Sequence, residues 1–286
     1  MKKAFKLISI LILAITLTGC FKSDTMEDIT IYTTVYPIEY ITSRLYSDYS
    51  EIYSIYPDGV NVNEYTLTKK QIKDYSNSDL LIFNGLNTEK DYVLKFFKYN
   101  KRIKIIDATN SMEIDNKTEE LWLNPSNFLM LAQNIKNGFD EYVSNNYIKN
   151  TIEDNFKSLK MDVSNIDATL THSYETANTK NLIIANKALL FLEKYGYNII
   201  CLDEENVSEK TIADAKDLLN GNSKTIFALD NDEVEDSLKE LLGLDEVKVT
   251  YLHSLSNITE DERTNKDTYL TIMNENIDIL KTETHK

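Results

Sequence analysis

Apolar residues along this chain alternate between two patterns. Short runs rich in Ile, Leu, Val and aromatic residues are each followed by longer stretches whose apolar positions return every three or four residues. The first pattern predicts buried strands and the second amphipathic helices. The strand-like runs are Ile29 to Thr34, Ile52 to Tyr56, Leu80 to Asn84 and Ile103 to Ile106, then Leu182 to Ala185, Ile199 to Leu202, Thr225 to Leu229 and Val247 to Leu252. Helical spacing starts at Pro37, with Ile38, Ile41 and Leu45 on one face, and returns at Thr68 to Tyr75, Thr88 to Tyr99 and Pro125 to Val143. In the second half it covers 187 to 195, 208 to 219 with Ser208 as its cap, 231 to 242, and about 264 to 281.

Between the halves, Ile148, Ile152, Phe156, Leu159, Val163, Ile166 and Leu170 recur at steps of four or three, and neither Pro nor Gly occurs from Ser144 to Lys180. This predicts one long amphipathic helix of roughly six turns. A coiled-coil strand is the competing reading; the pattern is short for one, which favours a spine between two lobes. Strand–helix alternation on both sides of the spine implies an α/β fold of two lobes, each a four-stranded parallel sheet flanked by helices, joined by one long spanning helix. The expected boundaries are 29–143 for the first lobe, 144–176 for the linker helix and 177–286 for the second lobe.

The first residues are organised differently. Lys2, Lys3 and Lys6 precede an apolar run from Leu7 to Leu17, which ends in Leu17-Thr18-Gly19-Cys20. That order reads as a secretory signal peptide over 1–19, and the run falls short of the roughly 20 residues a permanent span needs. Small residues directly before Cys20 have the form of a lipobox, in which the thiol is acylated and becomes the new N-terminus; the alternative for Cys20 is a free thiol. Residues 20–28 then serve as a polar tether, and the protein sits on the extracytoplasmic face of the cell membrane, held in the bilayer through Cys20.

Composition narrows the partners. The formal charge is −15, and −18 once the three leader lysines are removed, which argues against nucleic acid and against lying on anionic lipid. Cys201, in a strand-like run, has no partner for a disulfide once Cys20 is acylated. From Cys20 onward there are 267 residues, room for two lobes with separate cores. No Gly-rich phosphate loop, Gly-x-Ser-x-Gly elbow or metalloprotease His pair is present, so the expectation is a binding protein and not an enzyme.

In sheets of this kind ligands lie beyond the carboxyl ends of the strands. Asn63 follows the second strand, Glu120 lies in the long loop after the fourth, Asn186 stands directly after Leu182 to Ala185, and His253 directly after Val247 to Leu252. Two come from each lobe, so a ligand held by all four sits between the lobes. Glu64, Asp203 and Asp230, with Asp58 and Glu119, are further carboxylates near strand ends. Each position has a plainer reading: Asn63 and Asn186 as turn or cap residues, Glu120 as a solvated loop carboxylate, His253 as a hydrogen-bonded histidine at the cleft edge.

Several stretches together resemble the metal-binding solute receptors of ABC transporters, the zinc- and manganese-type lipoproteins also described as adhesins. They are Tyr36-Pro37, Asp58-Gly59-Val60 with Glu64-Tyr65 and Thr68, Asn84-Gly85-Leu86 with Glu89, and Leu121-Trp122-Leu123-Asn124-Pro125. Asn186, Ala188, Phe191-Leu192 and Tyr195-Gly196, then Tyr269-Leu270, Met273 and Asn276, complete the set. The resemblance implies a two-lobed monomer that delivers a divalent metal ion, zinc or manganese, to an ABC permease. It implies Asn63, Glu120, Asn186 and His253 as the metal-ligand positions. Here the chain departs from the family, which usually has His at the first three and Asp or Glu at the fourth. One imidazole, one carboxylate and two amides form a poor zinc set and suit harder ions better. The alternative is a paralogue without a metal, acting as a surface interaction or adhesion lipoprotein or binding another small solute.

Overall fold

The computed structural model describes residues 25–85, 89–112, 120–203, 207–221 and 225–286. The signal peptide, Cys20 with residues 20–24 of the tether, and Glu119 lie outside these residues.

The first lobe is a parallel sheet ordered β2-β1-β3-β4, formed by β1 (Ile29–Thr33), β2 (Ser50–Ser54), β3 (Leu80–Phe83) and β4 (Lys104–Asp107). The second repeats that order as β6-β5-β7-β8, with β5 (Asn181–Ile184), β6 (Asn198–Cys201), β7 (Ile226–Leu229) and β8 (Val249–Leu252). In each sheet the strand order reverses beside the first strand, and the crevice beyond the strand ends opens there.

Eight parallel strands and the spine match the sequence pattern, with local shifts. β2 covers Ser50–Ser54 and not Ile52 to Tyr56. It is an edge strand whose Glu51 and Tyr53 are exposed, while the buried Ile55 and Tyr56 belong to the turn that follows. Residues 187 to 195 wind as a 3-10 helix ended by Gly196 at φ 111°. The stretch expected as a single helix over 264 to 281 is part of two, α8 (Glu260–Asn265) and α9 (Tyr269–Thr284). Lys266 between them takes a left-handed φ of 64°, and Thr259 and Thr268 each cap their helix with a reciprocal capping box.

The remaining α-helices, in chain order, are α1 (Tyr36–Tyr46), α2 (Lys69–Tyr75), α3 (Glu89–Tyr99), α4 (Pro125–Tyr142), α5 (Asn146–Thr176), α6 (Glu209–Asn220) and α7 (Glu235–Leu242). The spine is α5, which packs on α1 and α4 of the first lobe and on α9 of the second. Its buried face is Ile148, Ile152, Leu159, Val163, Ile166 and Leu170.

The expected separate cores are not what forms. One continuous apolar cluster runs from the first lobe through α4 and α5 into the second sheet, reaching Leu182, Ile184, Phe227 and Leu229. A smaller cluster, including Ile183, Ile226 and Ala228, fills the opposite face of that sheet. Alternate residues of β5 and β7 therefore serve different cores, as the two-residue period of a strand requires. The shared core removes apolar surface of both lobes from water at once and fixes their relative position.

Candidate functional site

A cavity of about 340 Å³ lies between the lobes beyond the strand ends. Its first-lobe wall is the turn after β2, with Gly59, Val60, Asn61 and Glu64. The second lobe supplies residues 230–233 after β7, and 253, 254 and 256–259 after β8. Gly59 stands at φ 76°, where a side chain is strained, and its N–H donates to Ile258 O at 2.8 Å across the lobes.

The segment after β8 holds the cleft together. Its backbone carbonyls at Ser254 and Ser256 accept from Trp122 Nε1 at 2.8 Å and Tyr36 N at 3.1 Å. Asn257 Nδ2 donates to Pro57 O at 2.7 Å and to Val60 O at 2.9 Å. Farther out, Arg263 on α8 grips two first-lobe carboxylates, Asp58 at 2.6 and 2.7 Å and Glu39 at 2.7 and 3.2 Å. Those bonds, to Asp58 first and then Glu39, hold the guanidinium well above its ordinary pKa. Asp58, expected as a spare cleft carboxylate, is thus committed to an interlobe ion pair.

Three of the four expected positions meet on one short segment, Asp230-Asn231-Asp232. Glu120 is buried and accepts from Asn231 Nδ2 at 3.2 Å. Asn186 donates from Nδ2 to the Asp232 carboxylate at 3.1 and 3.3 Å, while its Oδ1 caps the following turn by accepting from Ala188 N at 2.8 Å. His253 Nε2 lies 3.7 Å from Asp230 Oδ2 and 3.1 Å from Glu262 Oε1. Asn63 is not brought to this group: it is exposed, and its neighbour Asn61 lines the cavity instead. Asp203 is also turned aside and accepts from Lys187 N at 2.9 Å. Glu64 and Asp230 line the cavity.

His253 is held in one tautomer. Leu255 N–H donates to Nδ1 at 2.8 Å, which takes up that lone pair, so the neutral ring carries its proton on Nε2, facing Glu262. Neither nitrogen then offers a lone pair to an ion. The same bond fixes Leu255, a buried non-glycine residue at φ 60°. Burial raises the pKa of Glu262, but the Thr259 backbone N–H and hydroxyl, together with His253, outweigh it and hold the carboxyl below its ordinary range. Asp232 goes the other way: burial first, then the charges of Asp203 and Asp230, raise its pKa against the bonds from Leu229 N and Asn186.

The carboxylates and amides that line the cavity are those of Glu64, Asp230, Asp232, Glu233, Asn61 and Asn231, and the buried Glu120 meets this group through its bond from Asn231 Nδ2. Asn231 Oδ1 is buried without a hydrogen-bond partner. Among the described residues, no three His, Cys, Asp or Glu side chains already stand in metal-binding geometry. Sequence reasoning overlooked Asn231, Asp232 and Glu262. The Asp-Asn-Asp triplet at a strand exit was a visible signal for the first two, and Thr259-x-x-Glu262 was a capping-box signal for the third.

The family model described as zinc-uptake complex component A, periplasmic, matches residues 31–283. The metal ABC transporter substrate-binding lipoprotein SsaB of Streptococcus sanguinis is 22% identical over 304 residues, covering 96% of this chain and 97% of that protein. The iron-binding protein YfeA of Yersinia pestis is 24% identical over 279 residues, covering 90% and 87% respectively. Among solved structures, the Zn(II)-bound ZnuA-like domain of Streptococcus pneumoniae AdcA superposes with a TM-score of 0.71 at 20% identity, covering 91% of this chain and all of that domain.

Proposed function

This chain belongs to the zinc-uptake complex component A family, and from that premise we propose that it is the solute-binding lipoprotein of a metal ABC importer. It captures a divalent cation on the extracytoplasmic face and hands it to a membrane permease. Acylated Cys20 is the anchor, and the working unit is a monomer. The observation that carries the reading is the interlobe cavity, whose ionisable lining is Glu64, Asp230, Asp232, Glu233 and His253, the last with its Nδ1 taken by Leu255 N–H. With oxygen donors in place of imidazole and thiolate, the cargo is a hard ion of the manganese type and not zinc. Asp230, Asp232 and Glu120 supply the negative charge, and Asn186 orients Asp232.

The test is calorimetric titration of the metal-stripped protein with Mn²⁺, Zn²⁺ and Fe²⁺, with metal content checked by mass spectrometry. We expect Mn²⁺ to bind tightest, and Asp230→Asn and Glu120→Gln each to weaken it at least about tenfold, one lost charge–ion contact. Tighter zinc binding overturns the choice of ion. A second reading, a paralogue without metal cargo, draws on the commitment of Asp58, Asp203 and His253 to protein partners. Flat titrations with all three ions and an unchanged Tm decide for it. Loss of membrane association in Cys20→Ala tests the anchor separately.

A further inference from the structure

The chain carries 46 Asp and Glu against 31 Lys and Arg, yet residues 69 to 104 reverse that balance with nine basic side chains and four acidic ones. Most of these basic groups stand on the outer faces of α2 and α3 and on the loop after α3. On α3, Tyr92 and Phe96 turn inward, which leaves Lys90, Leu94 and Lys98 on an exposed stripe that Lys101 and Arg102 extend. Leu94 is 65% exposed and Tyr99 is 53% exposed, among the most exposed large apolar side chains of the described residues. Lys73 lies on α2, which packs against α3. Elsewhere basic side chains are commonly paired, as Arg44 is with Asp162 and Lys136 is with Asp140 and Glu153. Among the described residues, Lys73, Lys90, Lys98, Lys101 and Arg102 make no ion pair. The nearby Asp79 carboxylate is turned to Thr30 N at 2.9 Å.

The position of this face within the lobe gives it meaning. Lys73, Lys98, Lys101 and Arg102 lie at the amino ends of the strands, the pole opposite the cleft. Asn100 ties the two basic loops together there by donating to Ser76 O and Ser78 O. β1 begins at the same pole: Thr30 O accepts from Asp79 N, and Asp79 O accepts from Lys104 N. The chain that leads to Cys20 enters the fold at this pole on the side of α1 and α5: Tyr46 Oη donates to the carbonyl of the buried Met26, and Asn145 Nδ2 donates to Glu27 Oε1 at 3.4 Å. Met26 is buried in the core, so the six residues from 20 to 25 reach at most about 20 Å, and an acylated Cys20 keeps this pole within a short distance of the bilayer.

We propose that this face docks on the anionic headgroups of the membrane that carries the anchor, with Lys73, Lys98, Lys101 and Arg102 as headgroup contacts and Leu94 and Tyr99 seated at the interface. Basic residues flanked by exposed aromatic and aliphatic side chains are what a bilayer surface selects. The charge of −18 does not forbid it, because repulsion from the distant acidic lobe is screened beyond about 8 Å at physiological salt. The docked pose points the cleft away from the bilayer, towards incoming ions, so delivery to a permease requires the domain to lift on its tether.

The proposal rests on the lipoprotein reading, and its test separates the two. The processed full chain, with Cys201→Ala and an environment-sensitive dye on Asn77→Cys, is reconstituted into vesicles of phosphatidylcholine alone or with 30% phosphatidylglycerol (roughly −30 mV at the surface). The expected result is a blue shift of the dye on the anionic vesicles that is absent on neutral ones and is reversed by salt. In Lys98→Gln/Lys101→Gln/Arg102→Gln the docked-to-free ratio falls about a hundredfold, near fivefold per cation, with CD, Tm and cation binding unchanged. No shift on anionic vesicles overturns the proposal. So does a shift with soluble polyphosphate in place of vesicles, which assigns the face to a phosphate polymer. A chain that leaves neutral vesicles but docks on anionic ones through these cations refutes the anchor and keeps the surface.

Discussion

Replacing Arg263 with Met removes the charge that joins α8 of the second lobe to Glu39 and Asp58 of the first. Four contacts of 2.6 to 3.2 Å are lost. The Arg263 side chain is 43% exposed, so its own contribution is discounted for screening. Glu39 is the more costly partner: at 12% exposure it keeps little water once its cation has gone. Charge-assisted bonds of this kind are worth about 1.5–3 kcal/mol each when buried, and after the discount we expect about 2–3 kcal/mol of lost stability in all. Arg44→Met, which breaks a 2.7 Å ion pair between groups 27% and 38% exposed and a 2.9 Å bond to Tyr40 Oη, serves as the reference at about 1–2 kcal/mol. The assay is urea unfolding followed by CD and by fluorescence of Trp122. This is the single tryptophan of the chain, and it is buried where the lobes meet. A cycle with Glu39→Gln isolates the pair and should show coupling of about 1 kcal/mol or more. If Arg263→Met costs no more than Arg44→Met and shows no coupling to Glu39, this ion pair does not hold the lobes together.

Glu262 gives a pH prediction. Its folded pKa lies below the ordinary value of 4.5, so its stabilising contribution is complete above that value and is lost as pH falls below it through the folded pKa. Wild type should therefore exceed Glu262→Gln in urea stability at pH 6, with the gap closing below pH 4.5; a constant gap down to pH 3 refutes the assignment. Gly196→Ala should cost about 2–4 kcal/mol, since its backbone is left-handed and a Cβ there meets the Tyr174 ring at 2.6 Å; a Tm within about 1 °C of wild type contradicts this. Trp122→Phe leaves the buried Ser254 carbonyl without its interlobe donor, which should cost about 1–3 kcal/mol in urea unfolding read by CD.

The sequence by itself determined the elements and their class. Parallel strands buried on both faces need continuous apolar runs, and a helix facing a core needs apolar residues every three or four positions; both requirements are local, so all eight strands and the spine were legible. Even the shifts have local causes. β2 slid because Ile55 and Tyr56 are apolar for a turn and not for a strand. The break at Lys266 followed from a left-handed residue between two capping boxes. The single core was not legible, because period alone shows that Leu182 and Ile183 face opposite ways without showing which neighbour each face meets.

The site divides along the same line. Polar residues at strand exits pointed to the cleft, and Glu120, Asn186 and His253 do meet there on Asp230-Asn231-Asp232. Which atoms remain free for a ligand is a tertiary matter. It depends on Leu255 N–H filling Nδ1 of His253, and on Arg263, 205 residues distant from Asp58 in sequence, claiming that carboxylate. Residue type fixes what a side chain is able to bind, but hydrogen-bond partners brought from elsewhere in the chain decide what it has left to offer. That is why a cleft predicted from one imidazole, one carboxylate and two amides is lined, in the folded protein, mainly by the oxygens of Glu64, Asp230, Asp232 and Glu233.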